Sequence, residues 1–301
     1  GMQASLEALL CTLSQEEFFT YYKNGEPFAL HNLEGTLSEL VELPFLNSFD
    51  NLMNFWPDNV NAYLPGINDE VNSQQVKKET ARELFKEGKG LFFDDPNRFN
   101  EVIDKWLKAI HRDLGLSELT YSRSLIYAIA KDQGTSTHFD QNINFVLQIS
   151  GTKKWWLAKN EMVTNPMSRY TIGADMEPEL ESYLEGDIPK DMPKNATEIE
   201  LKPGSLLFLP RGLWHKTMAT SDAISLNFTF SAPTWIDLLT SFLRAKLAQS
   251  PSWRGTADFV NDLSRSLESV DQFDLLLSEL KENINQLSAQ DILGATEYNP
   301  R

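Results

Sequence analysis

Histidine is scarce in this chain, with four in 301 residues. One of them, His138, stands two residues before Asp140 in "THFDQNINF", and another, His215, closes the run "LKPGSLLFLPRGLWH". Alternate residues of a strand share a face. On a strand beginning at the His-x-Asp pair, His138 and Asp140 therefore project together, and the same parity continues through Asn142, Asn144, Val146 and Gln148. The opposite parity is Phe139, Ile143, Phe145, Leu147 and Ile149, a packing surface. A polar row backed by so apolar a face is expected to line a cavity. His215 follows a turn, a short strand and a Pro-Arg-Gly turn, so in a barrel that returns on itself it can face the earlier strand. Two imidazoles and a carboxylate with open positions suit Fe(II) as used by non-haem oxygenases. Zinc held by the same donors is the rival use, although the helix-borne HExxH of many zinc hydrolases is absent. A surface turn that happens to hold His and Asp is the bland alternative.

The elements that would position these residues are strands. From 121 to about 231 the chain is a series of short apolar runs split by Gly, Pro and Asp: "SLIYAIA", "INFVLQI", "KKWWLA", "SLLFLP" and "AISLNFTF". Regularly spaced short strands predict a sandwich or barrel. Ahead of them, residues 3–23 read as helical, with Ser14 and Glu17 able to form a capping box. "EPFALHNL", "NVNAYLPG" and "KGLFFDD" read as strands, and about 97–114 as a helix burying Val102, Ile103, Trp106, Leu107 and Ile110. His111 falls near the end of that helix, where a cation is favoured, and His31 reads as an ordinary structural histidine. The stretch 159–197 is long, acidic and Pro-rich, and a loop of that length in a compact β domain is usually functional or mobile. Beyond "SAPT", residues 235–247 and 267–287 read as amphipathic helices; Leu267, Val270, Phe273, Leu276, Leu277, Leu280, Ile284 and Leu287 form the second stripe.

Composition narrows the setting. The apolar fraction of 41% supports a real core, and no run is long and apolar enough to predict a membrane span. The N-terminal stretch lacks the basic region and cleavage site of a secretory signal; Gly1 ahead of Met2 reads as the remnant of a cleaved tag. A lone cysteine, Cys11, within an apolar helical pattern reads as packing and points to a reducing, cytoplasmic location. The net charge of −16 argues against nucleic acid as a direct partner and is compatible with a basic protein partner or with simple solubility.

"THFDQNINFVLQISGTKKWWLA" and "IELKPGSLLFLPRGLWHKT…AISLNFTFSAP" resemble the JmjC/cupin-like oxygenases. The resemblance is close over about 121–234 and looser over 26–120. It is nearest to the protein hydroxylases, namely the asparaginyl hydroxylase of hypoxia-inducible factor and the ribosomal oxygenases. It implies a mainly β fold with flanking helices, a double-stranded β-helix (a jelly roll), plus a C-terminal helical segment. It also implies Fe(II) as metal and 2-oxoglutarate as cosubstrate. On that resemblance His138, Asp140 and His215 match the iron ligands and Lys153 the basic residue that pairs with the distal carboxylate of 2-oxoglutarate. Thr135 and Asn144 match polar residues around the cosubstrate, and Asn227 a residue on the strand after the last ligand. A buried dicarboxylate needs a cationic partner in any case, which supports Lys153 independently.

The expected organisation is an oxygenase domain over 1–234 and a helical segment over 235–301 that pairs two copies as a homodimer. Asp as the carboxylate ligand leans toward hydroxylation over demethylation. The winged-helix-like module of the ribosomal group is expected to be shortened or missing. If 159–197 folds over the pocket mouth, Asp175, Glu177, Glu179, Glu181 and Glu185 would favour a protein or peptide substrate of basic character. Two alternatives stand beside this expectation: the same chemistry on a small molecule such as an amino acid, and a non-enzymatic cupin-like metal-binding protein.

Overall fold

The computed structural model describes residues 3–297. The chain divides into two compact units, one of residues 1–115 with 121–231 and one of residues 116–120 with 232–301.

The larger unit opens with two short helices. The run read as helical over 3–23 is two helices: α1 (Leu6–Leu10) is capped by Ser5 and ends at Cys11, whose φ is 54°. Ser14 and Glu17 then form the expected capping box on α2 (Gln15–Asn24). Cys11 is exposed at that break, so it does not pack in an apolar pattern. Next come β1 (Phe28–Leu30), α3 (Ser38–Val41), α4 (Phe49–Phe55), β2 (Val60–Tyr63), β3 (Ser73–Val76), α5 (Lys78–Lys86), β4 (Leu91–Asp94) and α6 (Glu101–Leu114). The strands that follow are β5 (Tyr121–Ile129), β6 (Gly134–Phe139), β7 (Ile143–Ser150), β8 (Lys153–Ala158) and β9 (Tyr170–Thr171). After α7 (Pro178–Ser182) come β10 (Thr197–Leu201), β11 (Leu206–Leu209), β12 (Trp214–Ala219) and β13 (Ala223–Ser231).

All pairings are antiparallel and build two sheets, in the orders β1-β11-β7-β13-β5-β4-β2-β3 and β10-β8-β12-β6-β9. The sheets pack face to face, with Val146, Leu207 and Leu209 of the larger one meeting Trp155, Leu157 and Leu201 of the smaller in one buried cluster. β13 sits at the centre of the larger sheet and is buried on both faces. Its period-2 pattern sorts the two sides: Ser225, Asn227 and Thr229 face the space between the sheets. Ile224, Leu226, Phe228 and Phe230 have the opposite parity and are buried. On that outer side Phe18 of α2 meets Phe28, Phe145 and Phe208, and α6 buries Ile103, Trp106, Leu107 and Ile110.

The segment 159–197 is ordered onto the unit. Met162, Val163, Tyr170 and Leu180 form a buried cluster with Phe139, Ala158 and Trp214, which lie on the reverse of the ligand-bearing strands.

The smaller unit holds α8 (Trp235–Leu247), α9 (Ser266–Ile284) and α10 (Ala289–Gly294). Residues 116–120 join it through Glu297, whose carboxylate accepts from the Ser117 hydroxyl and, at 2.8 Å, from the Glu118 N–H. No residue of α9 is buried, and Leu267, Val270, Phe273 and Leu277 are exposed.

Candidate metal centre and cosubstrate cavity

The sequence reading placed His-x-Asp at the start of a strand; in the structure it ends one. β6 stops at Phe139, Asp140 opens a turn through Asn142, and β7 begins at Ile143 in the other sheet. The single polar row from His138 to Gln148 is therefore two rows on facing sheets, with His138 on one and Asn144 on the other. The turn is pinned by the Asp140 carbonyl, which accepts from the Gly212 N–H at 2.9 Å. Gly212 has φ 83°, and an added Cβ would lie 2.8 Å from Pro166, so this "PRG" turn requires glycine.

His215 pairs with His138 across β12 and β6. Asp140 Oδ2 lies 3.6 Å from His138 Nε2 and 3.4 Å from His215 Nε2. The three ligand atoms lie within 4.8 Å of one another. Each imidazole is oriented from behind: Nδ1–H of His138 donates to the Ser136 carbonyl at 2.7 Å, and Nδ1–H of His215 to the Leu213 carbonyl at 2.9 Å. Because a carbonyl only accepts, these bonds put the proton on Nδ1 and aim Nε2 inward, the arrangement a metal needs. Trp155 stacks on His215 at 5.8 Å.

Charge in the centre is strongly coupled. Burial would push the Asp140 carboxyl up, but Arg169, and after it His138 and His215, hold it well below the usual carboxylate range. Burial lowers His138, yet the carboxylate of Asp140 more than offsets it and the group is raised. Burial and the neighbouring His138 lower His215.

Thr135 and His138 both line the cavity although three positions separate them. Strict alternation would put them on opposite faces. The pairing shifts between His215 and Thr217, where β6 carries one more residue than β12, and this bulge restores both to the inside. Thr135 is held by Thr217, its hydroxyl 2.9 Å from the other.

Deeper in, Lys153 is 5% exposed and pairs with no carboxylate among the described residues; its ammonium lies over the Trp155 ring at 5.9 Å. Burial pushes its ammonium down to about 8. Around it Asn227 Oδ1, Ser225 Oγ and Trp155 Nε1 are buried without a partner in the structure. Native proteins rarely strand so many polar atoms together, and these line one cavity with the metal centre. Asn144 donates to Asn142 at 3.2 Å and accepts from the Thr229 hydroxyl.

Sequence reasoning missed an ionic cluster on the other side of the centre. Arg169, from the 159–197 segment, reaches Asp69 at 2.9 Å, Glu70 at 3.6 Å and Asp140 Oδ1 at 3.6 Å. The Thr171 hydroxyl also donates to Asp69, and the Tyr127 hydroxyl to Glu70. Burial pushes Glu70 up to about 7 against the pull of Arg169. The only sequence hints are an Arg just before the β-forming "YTI" and the acidic pair in "GINDEVNS". The expected acids of the segment, Asp175, Glu177, Glu179, Glu181 and Glu185, do not line the cavity; its lining residue from this segment is the cation Arg169. The acidic side chains that do line it are Asp69, Glu70 and Asp140. His31 and His111 stand apart from the centre on Ser205 and Ser122.

The comparisons agree with this architecture. The chain matches the JmjC domain over residues 100–238. It is 30% identical over 303 residues to the uncharacterized protein YxbC of Bacillus subtilis, covering 98% of this chain and 92% of that one. Human ribosomal oxygenase 1 is 24% identical over 208 residues, which covers 67% of this chain and 30% of the human protein. The bifunctional lysine-specific demethylase and histidyl-hydroxylase NO66 of Dictyostelium discoideum is 28% identical over 172 residues, covering 54% of this chain and 29% of that protein. The chain thus spans nearly all of YxbC but less than a third of these two named enzymes. An X-ray structure of E. coli ycfD aligns over 97% of this chain and 71% of its own, with a TM-score of 0.58 at 18% identity. YcfD solved with cobalt and 2-oxoglutarate aligns over 93% and 71%, with a TM-score of 0.52 at 17% identity. At such identity these two structures speak for the fold. With the domain match lying over β5–β13 and the full-length relationship to YxbC, the chain belongs to the JmjC family.

Proposed function

We propose that the protein is an Fe(II)- and 2-oxoglutarate-dependent oxygenase that hydroxylates a side chain of a protein or peptide. The observation that carries this reading is the shared cavity: two inward Nε2 atoms and one carboxylate oxygen converge at one end, and an unpaired buried ammonium waits at the other. That donor set suits a divalent first-row metal, and the stranded polar atoms suit a small dianion. When bound, iron and 2-oxoglutarate supply the oxidative chemistry.

The chain's own part is holding and shielding. His138, Asp140 and His215 would ligate the metal, with Asp140 already ionised. Lys153 would pair with the distal carboxylate of 2-oxoglutarate, and Thr135, Asn144 and Asn227 would meet its polar edge. The apolar floor of Val146, Leu207 and Leu209 keeps water from beneath. The acidic chain, with a net charge of −16, favours a segment carrying Arg or Lys near the modified residue. NO66 and ribosomal oxygenase 1, by their names a histidyl-hydroxylase and a ribosomal oxygenase, are relatives that support a protein substrate.

We also propose that residues 235–297 pair two copies of the chain, since α9 leaves its apolar stripe uncovered within its own unit. A cytoplasmic setting goes with the lone cysteine; among the described residues no helix is long and apolar enough to cross a membrane.

The substrate class is tested by turnover, with mass spectrometry for a product one oxygen heavier. Basic ribosomal-protein peptides are compared with free amino acids at low and high salt. Product from the peptides, falling as salt rises, is expected. Product from the free amino acids alone, with no salt dependence, contradicts the protein-substrate reading.

A further inference from the structure

The two oxygens of Asp140 have different neighbours. Oδ2 faces the two imidazole Nε2 atoms at 3.4 and 3.6 Å, whereas Oδ1 faces the Arg169 guanidinium at 3.6 Å. Arg169 is itself anchored. Its NH2 lies 2.9 Å from Asp69, a carboxylate with a fully buried side chain, and its NH1 lies 3.6 Å from Glu70. The strand that follows it, β9, is registered on β6, with Thr171 opposite His138 and Tyr170 opposite Phe139. Thr171 also donates to Asp69. The backbone that carries the first imidazole therefore also fixes the guanidinium.

We propose that Arg169 is a positioning residue for the metal centre: by occupying Asp140 Oδ1 it confines the carboxylate to one metal bond through Oδ2 and leaves open the coordination position that a chelating 2-oxo acid needs. Carboxylates bind metals with one oxygen or two, and the ion pair of Arg169 with Oδ1, at 3.6 Å, holds that oxygen turned away from the imidazoles. A planar guanidinium meets Asp140, Asp69 and Glu70 in fixed directions, which the compact, rotatable ammonium of a lysine does not reproduce. The 159–197 segment is on this view part of the catalytic apparatus. Its packed core of Met162, Val163 and Leu180 behind β6 and β12 exists to deliver one side chain to the centre.

The inference rests on the reading of His138, Asp140 and His215 as a metal site, and the test separates the two. Calorimetry with Co(II) alone, then with 2-oxoglutarate added to the Co(II)-loaded protein, gives two dissociation constants. Wild-type protein that binds no Co(II) sinks the metal-site reading itself. If wild type binds both, Arg169→Gln is expected to keep or tighten Co(II) binding, because a cation that opposes the metal is gone and a second oxygen is free. The same variant is expected to weaken 2-oxoglutarate about tenfold or more, the scale for losing a ligand-orienting partner. Co(II) and 2-oxoglutarate weakening in step would mean a merely structural role, and 2-oxoglutarate binding as in wild type would mean no role; either overturns the proposal. Should Arg169→Gln leave the buried acids too unbalanced to fold, Arg169→Lys keeps the charge. It is expected to bind Co(II) like wild type and 2-oxoglutarate about tenfold more weakly; wild-type affinity for both would overturn the proposal equally.

Discussion

Lys153 is a buried ammonium with no carboxylate partner among the described residues. Its pKa is lower in the folded chain, about 8, than the usual 10.5. Between these values the unfolded chain binds the extra proton, so the stability of the cosubstrate-free protein rises as pH climbs through that window. Binding of 2-oxoglutarate has the opposite dependence, because its carboxylate needs the charged amine. Its affinity is expected to hold below pH 8 and to fall by about tenfold per unit above it. Lys153→Ala is expected to weaken 2-oxoglutarate by roughly 2–5 kcal/mol and to flatten that profile. Calorimetry from pH 7 to pH 9.5 reads both, and a flat wild-type profile would show that another group holds the carboxylate. Glu70 provides a second check. Its carboxyl is raised to about 7 from 4.5, so the metal-free fold loses stability as pH rises from 4.5 to 7 and levels off above. With its side chain about a quarter exposed, Glu70→Gln is expected to stabilise the metal-free protein by about 2 kcal/mol at pH 8 and not at all at pH 4.5. Equal denaturation midpoints at pH 8 would contradict it. The convergence of His138, Asp140 and His215 was legible because histidine is scarce and one stood two residues from an aspartate, whereas Lys153 was picked out by the family resemblance and is found buried. Arg169, Asp69 and Glu70 were not, since an ion pair that joins segments 100 residues apart leaves no period in the sequence.

Among the elements, β6 and β12 carry the site, and their contact is closest at Gly134. A Cβ there would lie 1.7 Å from the Thr217 carbonyl oxygen, which is backbone and has no rotamer to escape into. Gly134→Ala is expected to destabilise the protein by about 3 kcal/mol and to separate the two ligand strands, so that Co(II) affinity falls as well. A denaturation midpoint and a Co(II) titration unchanged from wild type would show that the strands have slack. The apolar strands β5, β7, β8, β11 and β13 were readable from their patterning. β6, "GTSTHF", was not, because it is polar, faces the cavity, and contains the bulge that breaks alternation. For the same reason the His-x-Asp motif read as a strand start when it is a strand end. The acidic stretch 159–197 read as a loop because its buried residues, Met162, Val163, Tyr170 and Leu180, are spread too thinly to show a period.

For the whole molecule the open issue is how α9 meets its surroundings. Leu267 is 75% exposed and Phe273 53% exposed on a helix with no buried residue. A self-associating surface would need to bury more than about 1,000 Å² in total. Sedimentation is expected to show a dimer at micromolar concentration, and Phe273→Glu to give a monomer that still binds Co(II). A wild-type monomer at that concentration would rule the dimer out. The apolar stripe of 267–287 was visible as a 3–4 spacing. The grouping of residues 116–120 with the C-terminal helices was not, since it depends on Glu297 meeting Ser117 across 180 positions.

The central claim is that His138, Asp140 and His215 hold a metal that turns over 2-oxoglutarate. It is tested most directly by following succinate by proton NMR in the full-length protein supplied with Fe(II), 2-oxoglutarate, oxygen and basic peptide. The account predicts succinate from wild type, none without iron, and none from His215→Ala or Asp140→Ala. Succinate formed equally by those variants, or none from iron-loaded wild type that binds 2-oxoglutarate, would contradict it.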